Sequence, residues 1–436
     1  MANRHRVVIL GGGFGGLNAA QALKSAPVDV TLIDRRNYHL FQPLLYQVAT
    51  GSLSPGEIAA PLRGVLSRQK NARVLLGEVI AIEPTTREVL LRDGAKIPYD
   101  TLIVSTGTES SYVGNDQWRE WAPSLKSIEE ATMVRHKILY AFEVAERESD
   151  PEQIRAWLTF VIVGAGATGL ELAGALAEIS RETLRHDFRH IRPDEAQIVV
   201  MEYAPRVLPG YPEILSEKAL KQVERLGVKV HTGVRVVDIT REGVTFESQR
   251  GREKLTARTV LWAGGISASG FARTLAQSLN AETDKNGRIK VNPDLSVPGR
   301  PEIFVVGDLA LSFNRDGTQL PGVAQVAMQG GDYVAKVIGK RMRGQRYPAP
   351  FHYFDKGDMA VIGRGRAVAN LFGKIRIWGP AAWFVWLFIH LMYLVEFQSR
   401  VLVFIEWGFL YITHSRGARL ITGKAPSDIS QHNGVI

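Results

Sequence analysis

Short runs that are apolar at every position recur along the chain, and two of them open the same series. VVIL (7–10) leads into GGGFGG and then LNAAQAL, while FVIV (160–163) leads into GAGATG and then LELAGAL. A run with no polar alternation predicts a strand buried on both faces, and the periodic apolar residues after each glycine turn predict an amphipathic helix. The chain thus carries an internal repeat of strand, turn and helix. Further runs predict the neighbouring strands: VDVTLID (28–34), QIVVME (197–202), YDTLIVSTGT (99–108), RTVLWAGGI (258–266) and IFVVGDLA (303–310). A different pattern closes the chain. AAWFVWLFIHLMYLV (381–395) holds no formally charged side chain, and VLVFI (401–405) and WGFLYI (407–412) follow it.

Both repeats fit G-x-G-x-x-G, with Gly11, Gly13 and Gly16 aligned on Gly164, Gly166 and Gly169. Dinucleotide binding asks for glycine at these places for a tight turn, for backbone approach to a pyrophosphate and for close packing of helix on strand. One match is weak; two in strand–turn–helix context make two nucleotide sites the expectation. The strand after each turn ends in a carboxylate suited to a ribose, Asp34 in the first unit and Glu202 in the second. Glu202 stands farther from its glycines than Asp34 does, which we ascribe to a helix extended through 177–189. An acidic residue there accepts from a free 2′-hydroxyl and repels a 2′-phosphate, so the second site is expected to prefer NADH to NADPH. The runs at 99–108 and 258–266 end in small residues, where the chain crosses between domains. The expected fold is α/β, with two Rossmann-like domains and a C-terminal membrane-associated helical segment.

Composition narrows the chemistry. The 436 residues include no cysteine, which excludes disulfide, thiolate and iron–sulfur redox chemistry and leaves redox work to a bound cofactor. The formal charge of +9 permits an anionic partner, yet Lys and Arg are interspersed with 44 acidic residues and no nucleic-acid motif is legible, so nucleic acid is not expected. MANRHR before VVIL does not have the form of a signal peptide. His39, His352, His390 and His414 have no second histidine or carboxylate at ligand spacing in the sequence, so they are read as structural and no metal is expected.

HLFQPLLYQVATG (39–51), EYAPRVLPG (202–210), FVVGDLA (304–310), AQVAMQGG (324–331) and RGARLITG (416–423), together with the paired glycine motifs, resemble the type II NADH dehydrogenases. These are single-subunit NADH:quinone oxidoreductases that do not pump protons. The resemblance covers nearly the whole chain. It implies a glutathione-reductase-like fold, with FAD in a discontinuous domain of residues 1–111 and 266–340, NADH in residues 112–265, and a membrane-anchoring region at 341–436. Both nucleotide domains are then expected to close before residue 341. It implies that Gly307 and Asp308 approach the FAD ribityl and pyrophosphate, that Gln325 and Gln329 stand near the quinone head, and that Glu171 stands near the contact of nicotinamide and flavin. Aligned on Asn18 of the first repeat, Glu171 is expected in the first helical turn, with a carboxylate favoured by the helix dipole as the plainer alternative. For the two glutamines the plainer alternative is a polar solvent face, since i,i+4 spacing puts both on one side of a helix.

The acceptor implied is a membrane quinone, ubiquinone or menaquinone, at the cytoplasmic face of a bacterial inner membrane. Gly379-Pro380 shortens the apolar tail helix to about fifteen residues, short of a comfortable span of the hydrocarbon. Helices lying on lipid are therefore expected, with Trp378, Trp383, Trp386 and Trp407 at headgroup depth and Arg416 and Arg419 on phosphates. A single span is the lesser alternative, and a purely buried core or a dimer interface another. Two functional alternatives remain open: a soluble NADH-dependent reductase of a redox protein with the tail as dimer surface, and a non-enzymatic NADH sensor.

Overall fold

The computed structural model describes residues 4–345 and 349–422. The chain forms two compact units. The first contains Met1–Leu40, Ala59–Glu109 and Ile266–Asp355. The second contains Phe41–Ile58, Ser110–Gly265 and Lys356–Ile436. Against the expected boundaries, 41–58 belongs to the second unit, and from Lys356 onward the C-terminal region is part of that unit too.

In the first unit the apolar runs build a six-stranded sheet in the order Ser296–Val297, Arg300–Val305, Thr101–Val104, His5–Leu10, Val28–Asp34, Ala72–Leu76. All neighbours are parallel except the antiparallel edge strand Ser296–Val297. Val7, Val8, Ile9 and Leu10 are all buried, as a strand covered on both faces requires. The helix Phe14–Ala22 lies against the helix Ala324–Met342 at close range: a Cβ on Gly331 would stand 2.3 Å from the carbonyl oxygen of Gly15.

The second unit repeats the plan with a four-stranded parallel sheet, Lys229–Thr232, Gln197–Glu202, Thr159–Val163, Thr259–Trp262. An antiparallel meander, Arg235–Thr240, Gly243–Ser248 and Gly251–Thr256, contributes Ile239, Val244 and Phe246 to a core with Val161, Met201, Trp118 and Trp262. A second meander, Gly357–Gly363, Arg366–Leu371 and Ile375–Trp378, lies on the helix Ala167–Glu178 so closely that a Cβ on Gly174 would meet the Ile362 carbonyl. The second compact unit therefore includes chain beyond residue 341. The expected helix through 177–189 is shorter: Ala167–Glu178 continues as one π turn, Ile179–Thr183, and irregular chain follows.

The tail forms two helices, Pro380–Tyr393 and Phe397–Thr413, and no helix among the described residues is long and apolar enough to cross a membrane. Pro380 sits at the first helical position after Gly379 at φ 72°, which sets the start. The tryptophans do not lie where the apolar pattern put them. Trp383, Trp386 and Trp407 are buried, Trp386 at 1% exposure, and only Trp378 is exposed. Trp386 stacks on His390 at 4.2 Å and packs near Trp407 at 5.7 Å, while Trp407 Nε1 donates to Gln47 Oε1 at 2.7 Å. Phenylalanines take the outer face instead: Phe384, Phe388, Phe397, Phe404 and Phe409 are all more than half exposed.

Candidate functional site

The two glycine turns agree atom for atom. Gly11 and Gly164 adopt φ +97° and +105°, a left-handed conformation that glycine enters freely. A Cβ on either would also strike a backbone oxygen, Ser105 O at 2.3 Å or Ala263 O at 2.8 Å. A Cβ on Gly16 or Gly169 would stand 1.9 Å from the oxygen of Gly11 or Gly164, so these glycines let each helix lie on its turn. Gly13 and Gly166 differ: a Cβ there would meet nothing within 4 Å. No contact inside the protein asks for glycine at the middle position, whereas a pyrophosphate lying on the turn does. The residues present thus fit a dinucleotide at both turns.

The carboxylates repeat as well. Asp34 accepts from the Gly12 N–H at 2.5 Å and the Arg36 N–H at 2.7 Å; Glu202 accepts from the Ala165 N–H at 2.6 Å and the Ala204 N–H at 2.7 Å. Each acid therefore ties the residue between the first two glycines to its own strand end. Such charge-assisted bonds contribute about 1.5–3 kcal/mol, and each oxygen keeps a second lone pair for a ribose hydroxyl. The spacing suggested only the ribose role. The turn-clamping role was invisible in it.

The remaining first-unit residues gather at the same sheet edge. Gly307, at φ +74°, opens the short turn Gly307–Leu309 just past the strand Arg300–Val305. Asp308 Oδ2 accepts from Thr108 Oγ1 at 3.5 Å, and a Cβ on Gly307 would stand 3.1 Å from Ala327 Cβ. The helix Ala324–Met342 thus begins beside Gly307 and brings Gln325 and Gln329 to that edge. Gln329 is more occupied than its spacing implied: its Nε2 donates to Phe354 O at 3.0 Å and its Oε1 accepts from Phe354 N–H at 2.9 Å. Gln329 is half-buried, and its amide is paired in both directions with backbone.

Glu171 is the fifth residue of its helix, the same position that Asn18 holds in the first repeat, and so lies just past the first turn in which it was expected. Burial raises its pKa well above the usual carboxyl range, opposed by a hydrogen bond from the Val361 N–H. The fifth position puts the carboxylate just past the first turn, where the helix dipole acts most strongly. Burial raises the pKa of the Tyr46 hydroxyl well above its usual range, and the charge of Glu171 adds to the shift. An acid whose pKa rises on folding favours the fold below its unfolded value near 4.5 and opposes it progressively as pH rises toward the shifted value. Glu171→Gln is therefore expected to raise the melting temperature at pH 8 and to leave it unchanged near pH 4, a difference that thermal unfolding at the two pH values reads directly.

Two groups that composition hid complete the picture. Arg416, read as a lipid-phosphate contact, is 4% exposed and forms an ion pair with Glu178 at 3.0 Å. It also donates to Thr50 O and Oγ1, Ser52 Oγ and Ala175 O. His414, read as lacking a carboxylate, has Glu182 2.6 Å from its Nδ1, a pairing that brings together residues far apart in sequence. Tyr46 and Gln47 lie in the same network, with Gln47 Nε2 donating to Tyr46 Oη at 2.9 Å. HLFQPLLYQVATG carried that signal, though not the role.

Residues 5–331 match the pyridine nucleotide-disulphide oxidoreductase family. The type II NADH:quinone oxidoreductase Ndh of Mycobacterium tuberculosis is 46% identical over 97% of this chain and 91% of its own length. The chain belongs to the type II NADH:quinone oxidoreductases. A second enzyme of that organism, the type II NADH:quinone oxidoreductase NdhA, is 45% identical over 97% of this chain and 91% of its own length. The structure of NDH2 from Plasmodium falciparum in complex with NADH superposes with a TM-score of 0.86 at 21% identity, covering 96% of this chain and 100% of that one, which shows a shared fold. Within a family named for a disulphide this chain has no cysteine, so it carries no disulphide of its own.

Proposed function

We infer that the protein is an FAD-dependent oxidoreductase that takes a hydride from NADH and passes two electrons to a quinone without pumping protons. The observation that carries the reading is the duplicated turn with an open middle glycine and a clamping carboxylate, in a chain 46% identical to a quinone reductase. The alternatives of a soluble redox-protein reductase and of an NADH sensor gain no support from those relatives. Gly11, Gly13, Gly16, Asp34, Gly307 and Asp308 would hold FAD, and Gly164, Gly166, Gly169 and Glu202 would hold NADH. When bound, the flavin supplies the hydride-accepting ring, and the chain supplies position and electrostatics. Glu202 accepts from the adenosine ribose while its two backbone bonds keep the turn closed. Glu171 serves near the nicotinamide as a carboxyl whose pKa burial raises. Gln325 and Gln329 serve at the acceptor side, Gln329 through the backbone of Phe354. The domain assignment that goes with this reading is FAD on 1–111 and 266–340 and NADH on 112–265.

The exposed phenylalanines of the two tail helices fit a lipid surface, where a quinone resides, and burial of that apolar area is not screened by salt. The reading puts the enzyme on the cytoplasmic face of a bacterial inner membrane, the side on which NADH is made; a homodimer is compatible with it.

Rapid mixing tests the function. NADH alone should bleach the flavin, and an added quinone should restore the colour. Gln329→Ala is expected to slow recolouring several-fold and to leave bleaching nearly unchanged; equal loss in both would assign that amide to the fold. Glu202→Gln keeps one acceptor oxygen and removes the charge, so the NADH/NADPH ratio of kcat/KM should fall about tenfold, the scale of one lost discriminating interaction. An unchanged ratio would remove Glu202 from the ribose site.

A further inference from the structure

One cavity has no place in this reaction. It lies wholly in the second unit, between the π turn Ile179–Thr183, the loop after the helix Glu213–Arg225 and the strand Arg366–Leu371, and has a volume of about 330 Å³. Its charged lining is Glu178, Arg181, Glu182, Arg225 and Arg366. Both carboxylates already have hydrogen-bonding partners. Glu178 pairs with Arg416 and accepts from the Arg364 N–H at 2.6 Å, and Glu182 pairs with His414. The arginines are not matched: among the described residues no ion pair holds Arg181, Arg225 or Arg366. Arg181 donates to the carbonyls of Leu226 and Gly227, which caps the two oxygens that would otherwise repel an anion there. Arg366 donates to the carbonyl of Arg364, and Arg225 is exposed. The lining therefore carries surplus positive charge with open guanidinium donors, the chemistry that recognises a phosphoryl group.

The same cavity adjoins the apolar tail. His414, which holds Glu182, directly follows the helix Phe397–Thr413, and Arg364 Nη1 lies 2.7 Å from its Nε2. Two residues back, Ile412 is 82% exposed, with Phe409 one turn before it. We propose that the arginine cavity receives the phosphate of an anionic lipid headgroup, with the acyl chains meeting Ile412 and Phe409. The proposal rests on the lipid-facing reading of the tail helices and adds to it a preference for one lipid charge.

The test is vesicle binding by the full-length holoenzyme. Vesicles of phosphatidylcholine are compared with vesicles holding about one-fifth phosphatidylglycerol, where each arginine at the surface is worth roughly fivefold in binding. Wild type should bind the anionic vesicles more tightly. Arg225→Ala combined with Arg366→Ala should cut that preference by about 25-fold, the product of two such contributions. The same variant should keep its binding to neutral vesicles and its NADH-dependent flavin bleaching. Phe404→Ser with Phe409→Ser should weaken binding to both vesicle types, which tests the tail reading separately. Inorganic phosphate, exchanged for chloride at constant ionic strength, should erase the wild-type preference by competing for the cavity. A full anionic preference in the arginine variant overturns the proposal. So does calorimetric binding of phosphate that the arginine variant loses while its lipid preference stays, since the cavity would then serve a free anion.

Discussion

Replacing Arg416 by methionine is expected to lower the melting temperature by roughly 10 °C. The change removes one partner of a buried ion pair and leaves Glu178 without its main counter-charge, a loss of about 3–5 kcal/mol; in a unit of this size each kcal/mol shifts the midpoint by about 2–4 °C. Burial works against the charge of both groups, and the partner is what offsets it in each. Pairing Arg416→Met with Glu178→Gln should recover part of the loss, because the stranded charge goes too. Differential scanning calorimetry of the two variants decides the matter: equal melting temperatures would show that the guanidinium's bonds to Thr50, Ser52 and Ala175 matter more than the ion pair. The same geometry bears on truncation. A chain ended near Gly373 loses Arg416 and also the strand Ile375–Trp378, so it should lose stability together with any membrane contact, and cannot serve as a clean test of the tail.

Gly166→Ala is expected to raise KM for NADH by at least tenfold with the fold and bound flavin unchanged. At φ −71° alanine is conformationally allowed, and the added methyl meets no protein atom within 4 Å, so the cost falls on the pyrophosphate that would lie there. Gly169→Ala is the contrast: its methyl would stand 1.9 Å from the Gly164 oxygen, and the turn itself must deform. Steady-state kinetics with thermal unfolding as control separates the two. An unaltered KM in Gly166→Ala would mean that the nucleotide does not approach this turn.

The nucleotide-binding framework was legible because its requirements are local. A strand buried on both faces needs an apolar residue at every position, so VVIL and FVIV announce themselves. A left-handed turn needs glycine, and a helix resting on that turn needs another six or fewer residues away, so Gly11, Gly16, Gly164 and Gly169 can be read without any tertiary information. Asp34 and Glu202 stand out by spacing for the same reason, at the ends of the strands that follow the turns. Their second task, accepting from the Gly12 and Ala165 N–H groups, depends on which strand ends lie beside which turns.

The tail shows the opposite case. An apolar run reports that its side chains leave water and not what they leave it for, so Trp383, Trp386 and Trp407 looked identical to Phe384, Phe388 and Phe404. Only the packing of residues 41–52 on the tail separates them: Gln47 takes the Trp407 N–H, and Thr50 and Ser52 take the Arg416 guanidinium, across more than 350 residues of chain. Long-range pairing likewise decided that Gln329 holds the Phe354 backbone and that Glu171 lies under Val361. The sequence by itself determined the duplicated turns and their nucleotide chemistry, because sterics at a glycine are settled within a few residues. Tertiary structure decided which apolar and charged groups face protein and which remain exposed, because burial is a property of the partner a side chain meets.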